Sequence, residues 1–240
     1  MQMQRIIQAI YPSQCMGCDA AVADDNGLCG GCWSDTNFLT GLVCDKCGAP
    51  LMGEDDGTSV QCDDCMVVAR PWARGRAVFA YAGVGRRIVL ALKHGDRLDL
   101  PKAVAPWMAQ RMQVLSLSDP LCVPVPLHPR RLLRRRYNQA ALLAQALARR
   151  MDATACVDGL LRVRHTRALD GHDRQARFAA LDQAIGPNPR RRALIAGRNI
   201  ILVDDVMTSG ATLAAATEAL NAAGAETVSV VTLARVVKDA

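Results

Sequence analysis

Aromatic side chains are scarce in this sequence: three Trp, three Tyr and three Phe among 240 residues. Few rings are therefore available for base stacking, the usual means of holding single-stranded nucleic acid. Long apolar runs are missing as well. None reaches the roughly 18–20 residues that cross a bilayer, and the stretch 140–148 is broken by Gln145. The first fourteen residues, MQMQRIIQAIYPSQ, contain one basic residue and no continuous apolar segment, so they do not form a secretory signal. Ile6, Ile7 and Ile10 instead mark one side of a short helix ending near Pro12. Neither charge dominates: 29 Lys and Arg against 23 Asp and Glu leave +6. That balance suits a protein handling anions without demanding a nucleic-acid partner. Together these absences predict a cytoplasmic protein with no membrane span and reduced thiols. Half of the residues are hydrophobic, ample for a core.

Cysteine is what the sequence has in excess. Eight of its ten cysteines form four pairs of one spacing, Cys15/Cys18, Cys29/Cys32, Cys44/Cys47 and Cys62/Cys65. A Cys-x-x-Cys turn aims two thiolates at one centre, and a second turn completes the tetrahedron that Zn²⁺ prefers. Ten residues separate Cys18 from Cys29 and fourteen separate Cys47 from Cys62, each enough for a short ribbon to fold back. The glycines between supply turns, while Trp33, Phe38 and Leu39 are the main apolar bulk. So little core calls for a staple, and structural zinc, two ions in sequential four-cysteine sites, is the reading adopted; interleaved pairing stays open. Disulfides would need an oxidising compartment, one redox motif would explain a single pair, and the tight ferredoxin ligand run is absent. Cys122 and Cys156 lie apart in apolar stretches and read as buried thiols.

From about residue 70 apolar runs alternate with helical patterns. Strands are expected at 76–81, 121–126, 155–163, 199–204 and 226–233, and helices at 84–93, 100–114, 137–150, 174–183 and 211–223. Pro106 is awkward inside the second helix and could mark its true start. Residues 186–192, GPNPRRR, read as a polar turn. Alternation with near-continuous apolar strands predicts an α/β fold, a parallel sheet flanked by helices. The cysteine map divides the chain at 1–68 and 69–240.

The most informative segment is 199–213, NIILVDDVMTSGATL. An apolar strand ends in Asp204 and Asp205, and Thr208-Ser209-Gly210-Ala211-Thr212 then opens a helix. In open α/β sheets ligands bind beyond the carboxyl ends of the strands. Hydroxyls and unhindered N–H groups at a helix N-terminus suit a phosphate monoester. The adjacent carboxylates suit vicinal hydroxyls and help organise Mg²⁺. Together they describe a site for a phosphorylated sugar.

VDDVMTSGAT resembles the 5-phosphoribosyl-1-pyrophosphate (PRPP) motif of type I phosphoribosyltransferases, and the chain resembles the ComF family linked to natural competence and DNA utilisation. The cysteine pairs, Tyr81 with Gly83, Leu92-Lys93, VPVPLHPRRL at 123–132, Tyr137-Asn138-Gln139-Ala140, Thr166 and Ala234-Arg235 carry the rest of the likeness. The resemblance implies a type I phosphoribosyltransferase fold behind a double zinc ribbon. It implies that Asp204 and Asp205 bind the ribose hydroxyls and that Thr208, Ser209, Gly210, Ala211 and Thr212 cradle the 5′-phosphate. The loop Leu127-His128-Pro129-Arg130-Arg131 falls where the family contacts pyrophosphate, which gives Arg130 and Arg131 a catalytic role beside Asp204 and Asp205. Arg134, Arg135 and Arg136 fit either a surface or a nucleic-acid contact. Residues 164–178 resemble the flexible loop closing over the site, with Thr166, Gly171, Arg174 and Arg177 in its pattern. Leu169, His172, Ala180 and Arg136 depart from it. The implied reaction displaces pyrophosphate from PRPP with a nitrogenous base, aided by Mg²⁺. The alternatives are a PRPP sensor without turnover and an accessory protein binding single-stranded DNA or a DNA-uptake partner.

Overall fold

The computed structural model describes residues 13–23, 27–94, 97–163 and 184–237. Strands β1 (Gly75–Ala80), β2 (Leu121–Pro124), β3 (Thr154–Ala155), β6 (Asn199–Met207) and β7 (Thr227–Arg235) build one sheet. Its order is β1-β7-β6-β2-β3 and every pairing is parallel. A second, antiparallel pair consists of β4 (Leu160–Arg162) and β5 (Ile185–Pro187). The helices are α1 (Gly30–Ser34), α2 (Asp63–Val67), α3 (Gly83–His94), α4 (Leu100–Gln113), α5 (Pro129–Arg135), α6 (Gln139–Met151), α7 (Arg192–Ile195) and α8 (Ala211–Ala222).

Side chains alternate across a strand, so a sheet covered on both faces needs apolar residues at consecutive positions. β6 shows this directly. Ile201 and Val203 pack with Ile88 of α3, Met108 of α4 and Leu147 of α6, whereas Ile200 and Leu202 pack with Ile195 of α7 and with Leu213 and Leu220 of α8. The fold class expected from the alternation of elements is therefore the one found.

The cysteine-rich segment was expected to lack a core, and here the structure departs from the sequence reading. It lies against the outer edge of β1 and shares the core of the sheet. Leu39 N–H donates to Val78 O at 2.9 Å, Ala80 N–H to Asn37 O at 2.9 Å and Gly75 N–H to Asp45 O at 2.7 Å. These bonds occupy backbone groups that an edge strand would otherwise leave open to other chains. The approach is close: a side chain at Gly75 would run into the Lys46 carbonyl, and a Cβ on Gly48 would stand 2.8 Å from Ala77 N. The segment then splits between the two faces. Cys15, Met16 and Cys32 join the α3/α4/α6 side, while Cys44, Cys47 and Cys65 join the α8 side with Trp72.

Other boundaries shift for physical reasons. β6 continues through Asp204 and Asp205 to Met207, because β7 keeps pairing with it as far as Arg235. The loop expected over 127–131 ends at His128; α5 starts at Pro129, where a missing N–H costs nothing, and His128 Nδ1 accepts from Arg130 N–H at 3.2 Å. Arg134 and Arg135 close this separate helix, where the dipole favours cations. α6 accordingly begins at Gln139 rather than 137. The strand-like 155–163 divides into β3 and β4, and 186–192 contributes to β5 and a short 3₁₀ turn, Pro189–Arg191. α4 runs through Pro106, which is exposed, so the unmade bond faces water. The expected helix 174–183, the N-terminal helix around Ile6 and the closing loop lie outside the described residues.

Candidate functional site

The four pairs assemble in sequence. Cys15, Cys18, Cys29 and Cys32 form one group and Cys44, Cys47, Cys62 and Cys65 another, with the sulfurs of each group within 4.8 Å of one another. Tetrahedral zinc with bonds near 2.3 Å places its sulfurs about 3.8 Å apart. The Sγ distances are 3.6 Å for Cys18–Cys29 and 3.6 Å for Cys47–Cys62. Backbone amides prepare the ligands. Burial works against a charged Cys15, but the N–H groups of Cys29 and Gly17, at 3.2 and 3.3 Å, outweigh it and bring the thiol down to about 6. Cys44 falls to about 4, chiefly through its hydrogen bond with Cys47. Four sulfurs at this spacing fit Zn²⁺ in both groups. Cys122 and Cys156 are buried and stand apart from both groups.

The second site forms where β6 gives way to α8. Gly210 occupies the N-cap with φ +81° and has no side chain to cap α8, whose Ala211 N–H makes a long hydrogen bond to Ser209 Oγ at 3.5 Å. Asp204 and Asp205 precede this turn, and Asp205 N–H donates to Asp204 Oδ1 at 2.8 Å. Burial, and then the charge of Asp205, lift the Asp204 carboxyl to about 7, against the pull of the Asp205 N–H, Lys93 and Arg162. Asp205 itself is paired: Lys93 Nζ, at the end of α3, lies 3.1 Å from its Oδ1. Tyr137 steadies that helix end by donating to Leu92 O at 2.8 Å. Asn138 caps α6, accepting from Ala140 N–H at 3.1 Å, and donates to Val125 O at 3.0 Å. The Tyr-Asn string thus ties the exit of β2 to the end of α3 and the start of α6.

Arg162 on β4 and Arg131 on α5 complete the electropositive side. Burial lowers the Arg162 pKa, the nearby Arg131 lowers it further, and Asp204 works the other way, so the three groups are neighbours. Arg130 is exposed one position before. Of the residues singled out in the sequence, Asp204, Asp205, Thr208, Ser209, Gly210, Ala211 and Thr212 form one continuous rim, and Arg131 reaches its vicinity. Thr166, Arg174 and Arg177 lie outside the described residues. Sequence reasoning gave no role to Lys93, Arg162 or Arg70, whose Nη1 donates to Ser209 O at 2.7 Å. No local pattern marks Arg70, because 139 positions separate it from its partner.

A double zinc ribbon joined to a phosphoribosyltransferase domain is the class this geometry defines. The Double zinc ribbon domain family matches residues 6–66 and the Phosphoribosyl transferase domain family matches 138–239. The chain belongs to the ComF family of competence and DNA utilization proteins. It is 30% identical to Competence protein F of Haemophilus influenzae, over 88% of this chain and 91% of that protein. It is 31% identical to the DNA utilization protein YhgH of Salmonella typhimurium, over 93% and 97%. With Competence protein ComFC of Bacillus subtilis it shares 28% identity, over 79% and 75%. Among the described residues no helix is long and apolar enough to cross a membrane.

Proposed function

We propose that this protein binds PRPP at the β6–α8 turn and transfers its phosphoribosyl group to a nitrogenous base, in the setting of DNA utilisation that the names of its relatives suggest. The observation that carries this reading is the glycine-capped N-terminus of α8, reached from two adjacent carboxylates through a short turn of small residues. The helix dipole and the small residues from Thr208 to Thr212 favour the 5′-phosphate. Asp204 and Asp205 accept hydrogen bonds from the ribose hydroxyls. Lys93 holds Asp205 in place and offsets its charge.

In the reaction a base nitrogen forms a bond to the anomeric carbon as the bond to the diphosphate oxygen breaks. The leaving pyrophosphate takes the electron pair, and the nitrogen gives its proton to solvent. Charge grows on the ribose ring and on the departing diphosphate, so the chain contributes mainly positioning and electrostatics. Arg162, whose charge interacts with those of Asp204 and Arg131, would with Arg131 assist departure. Adjacent carboxylate oxygens fit Mg²⁺, which takes one or two carboxylates and leaves its remaining positions to substrate oxygens and water. Bound there it would neutralise diphosphate charge.

Calorimetric titration with PRPP and Mg²⁺ tests binding, and pyrophosphate release over a panel of bases tests turnover. The Asp204→Asn, Asp205→Asn double variant is expected to lose at least ~100-fold in affinity, as two charged hydrogen-bond acceptors disappear. Tight PRPP binding with no product from any base would leave a sensor and overturn the transferase.

A further inference from the structure

The two four-cysteine groups differ in one respect that bears on the phosphate turn: among the described residues only the second is linked to it through Lys46, Trp72 and Arg70. Lys46 stands between the ligands Cys44 and Cys47. Its carbonyl accepts from Trp72 Nε1 at 2.5 Å, and its ammonium donates to Trp72 O at 3.0 Å. Trp72 is 1% exposed, and its ring edge would lie 3.1 Å from a Cβ built on Gly210. Arg70 lies over the same ring, 5.5 Å from its centroid, while its Nη1 holds Ser209 O. From the other side Arg235, at the end of β7, donates to Thr208 O at 3.4 Å.

Both arginines are buried, Arg70 to 7% exposure and Arg235 to 5%. Among the described residues neither pairs with a carboxylate, and Arg70 Nε, Arg70 Nη2 and Arg235 Nε have no hydrogen-bond partner. A buried cation without a counter-charge is costly. A phosphate bound at the turn would bring negative charge to their side of the molecule. The guanidiniums also orient the turn. They bind the carbonyls of Thr208 and Ser209, and in trans peptides the following N–H groups, those of Ser209 and Gly210, point the opposite way. Each cationic donor polarises its peptide and strengthens that N–H as an anion donor.

We infer that Arg70, Trp72 and Arg235 are positioning residues that brace the 208–210 turn against the second four-cysteine group. Zinc at Cys44, Cys47, Cys62 and Cys65 and phosphate at the turn therefore bind cooperatively, and zinc at Cys15, Cys18, Cys29 and Cys32 takes no part. The inference rests on the reading of 208–212 as a phosphate cradle. Coupling of this kind is reciprocal, so either ligand reports on the other.

The test uses the zinc-loaded full chain, challenged with excess of a zinc-selective chelator that leaves Mg²⁺ free and with N-ethylmaleimide, with mass spectrometry following alkylation of each cysteine. Saturating PRPP with Mg²⁺ is expected to slow labelling of Cys44, Cys47, Cys62 and Cys65 by about fivefold or more. Labelling of Cys15, Cys18, Cys29 and Cys32 should change less than about twofold on the same scale. In Arg70→Ala and in Trp72→Phe the difference between the groups should vanish at saturating ligand; if these variants do not fold, the wild-type measurement decides alone. Unchanged labelling of the second group while calorimetry records PRPP binding would overturn the coupling and leave the cradle intact. Equal slowing of both groups would also overturn it, since that is what general stabilisation by a ligand produces. If calorimetry records no PRPP binding to the wild type, the cradle itself fails and the inference falls with it.

Discussion

The two four-cysteine groups are near copies in sequence, yet they occupy opposite faces of one sheet. The first packs beside α3 and is flanked by an aromatic group in which Phe38 lies 4.8 Å from Trp33 and 5.3 Å from Trp107. Phe38 also bridges to Phe79 on β1, and polar groups beside these ligands include Arg87, whose Nη2 donates to Cys32 Sγ at 3.9 Å, and Asp19, paired with Arg97 at 3.3 Å. The second group sits on the α8 face among polar connections: Asp45 pairs with Arg76 at 2.6 Å, and Lys46 grips Trp72 through both its ammonium and its carbonyl. Burial opposes ionisation of Asp45, but the Ser59 hydroxyl and Arg76 overcome it and hold its carboxyl below the usual range. The comparison teaches that one motif, used twice, serves two purposes. The first copy closes a core, and the second is also linked, through Lys46, Trp72 and Arg70, to the 208–210 turn for which phosphate binding is proposed.

The sharpest way to break this comparison is to remove one ligand from each copy. Cys15→Ser and Cys44→Ser should each lower the zinc content from two ions to one, measured with a chromophoric chelator. Loss of a structural metal places both variants among the large stability effects, about 4–5 kcal/mol or more. Only Cys44→Ser should also weaken PRPP binding, by at least about tenfold, the coupling being within 1–3 kcal/mol. Equal loss of affinity in both variants would show that the ribbon acts as one unit. Gly210→Ala comes next. It places a methyl group at φ +81°, 2.9 Å from Arg70 Nη1 and 3.1 Å from Trp72. The strain should cost about 1–3 kcal/mol in thermal or denaturant unfolding and weaken PRPP binding, without altering zinc release from Cys15, Cys18, Cys29 and Cys32.

What could be read from the sequence was whatever is local along the chain. The spacing of the cysteines assigned both four-cysteine groups, because that chemistry is complete within a few residues, and VDDVMTSGAT led to the turn for which phosphate binding is proposed. The failures are long-range. Nothing near Arg70 announces Ser209, and nothing near Cys44 announces that its knuckle would share a core with Leu213. The coreless appearance of residues 15–65 was true of the segment alone and false of the molecule, since β1 and the sheet faces supply the missing apolar partners. β6 outran its expected end for a similar reason: its partner β7, not its own sequence, sets how far it pairs. α5 was missed because His128 is an uncommon helix cap and the arginines after Pro129 conceal the short helix.

A titration separates the phosphate site from the metal groups by its pH dependence. Asp204 has its carboxyl at about 7 when folded, against 3.8 for a free side chain. Between those values the folded chain keeps a proton that the unfolded chain has released, so stability falls as pH rises from about 4 to 7. Ligand affinity has the opposite sign, because the carboxylate form accepts ribose hydroxyls. PRPP affinity should fall by up to about tenfold per pH unit below 7, the limit for one linked proton. Substrate phosphates titrate nearby, and Asp204→Asn removes only the protein's share. Calorimetry from pH 5.5 to 8 should show a shallower profile in the variant, and parallel profiles would place the proton on the ligand.

Trp72→Phe is the mildest change and the most selective. It keeps a ring against Gly210 but deletes the donor to Lys46 O, a loss of about 1 kcal/mol for a buried neutral hydrogen bond. If the second group supports the turn only by filling space, the remaining ring should suffice, and PRPP affinity should stay within about twofold of wild type. If the hydrogen bond transmits position from the knuckle to the turn, affinity should fall about fivefold, since 1.4 kcal/mol corresponds to tenfold. Phe38→Ala gives the matching change on the other face. It removes more apolar contact and should lower stability more, by about 2 kcal/mol for a half-buried ring, yet leave PRPP affinity unchanged. A variant that loses more stability but no affinity, beside one that loses less stability and more affinity, would separate support of the turn from support of the fold.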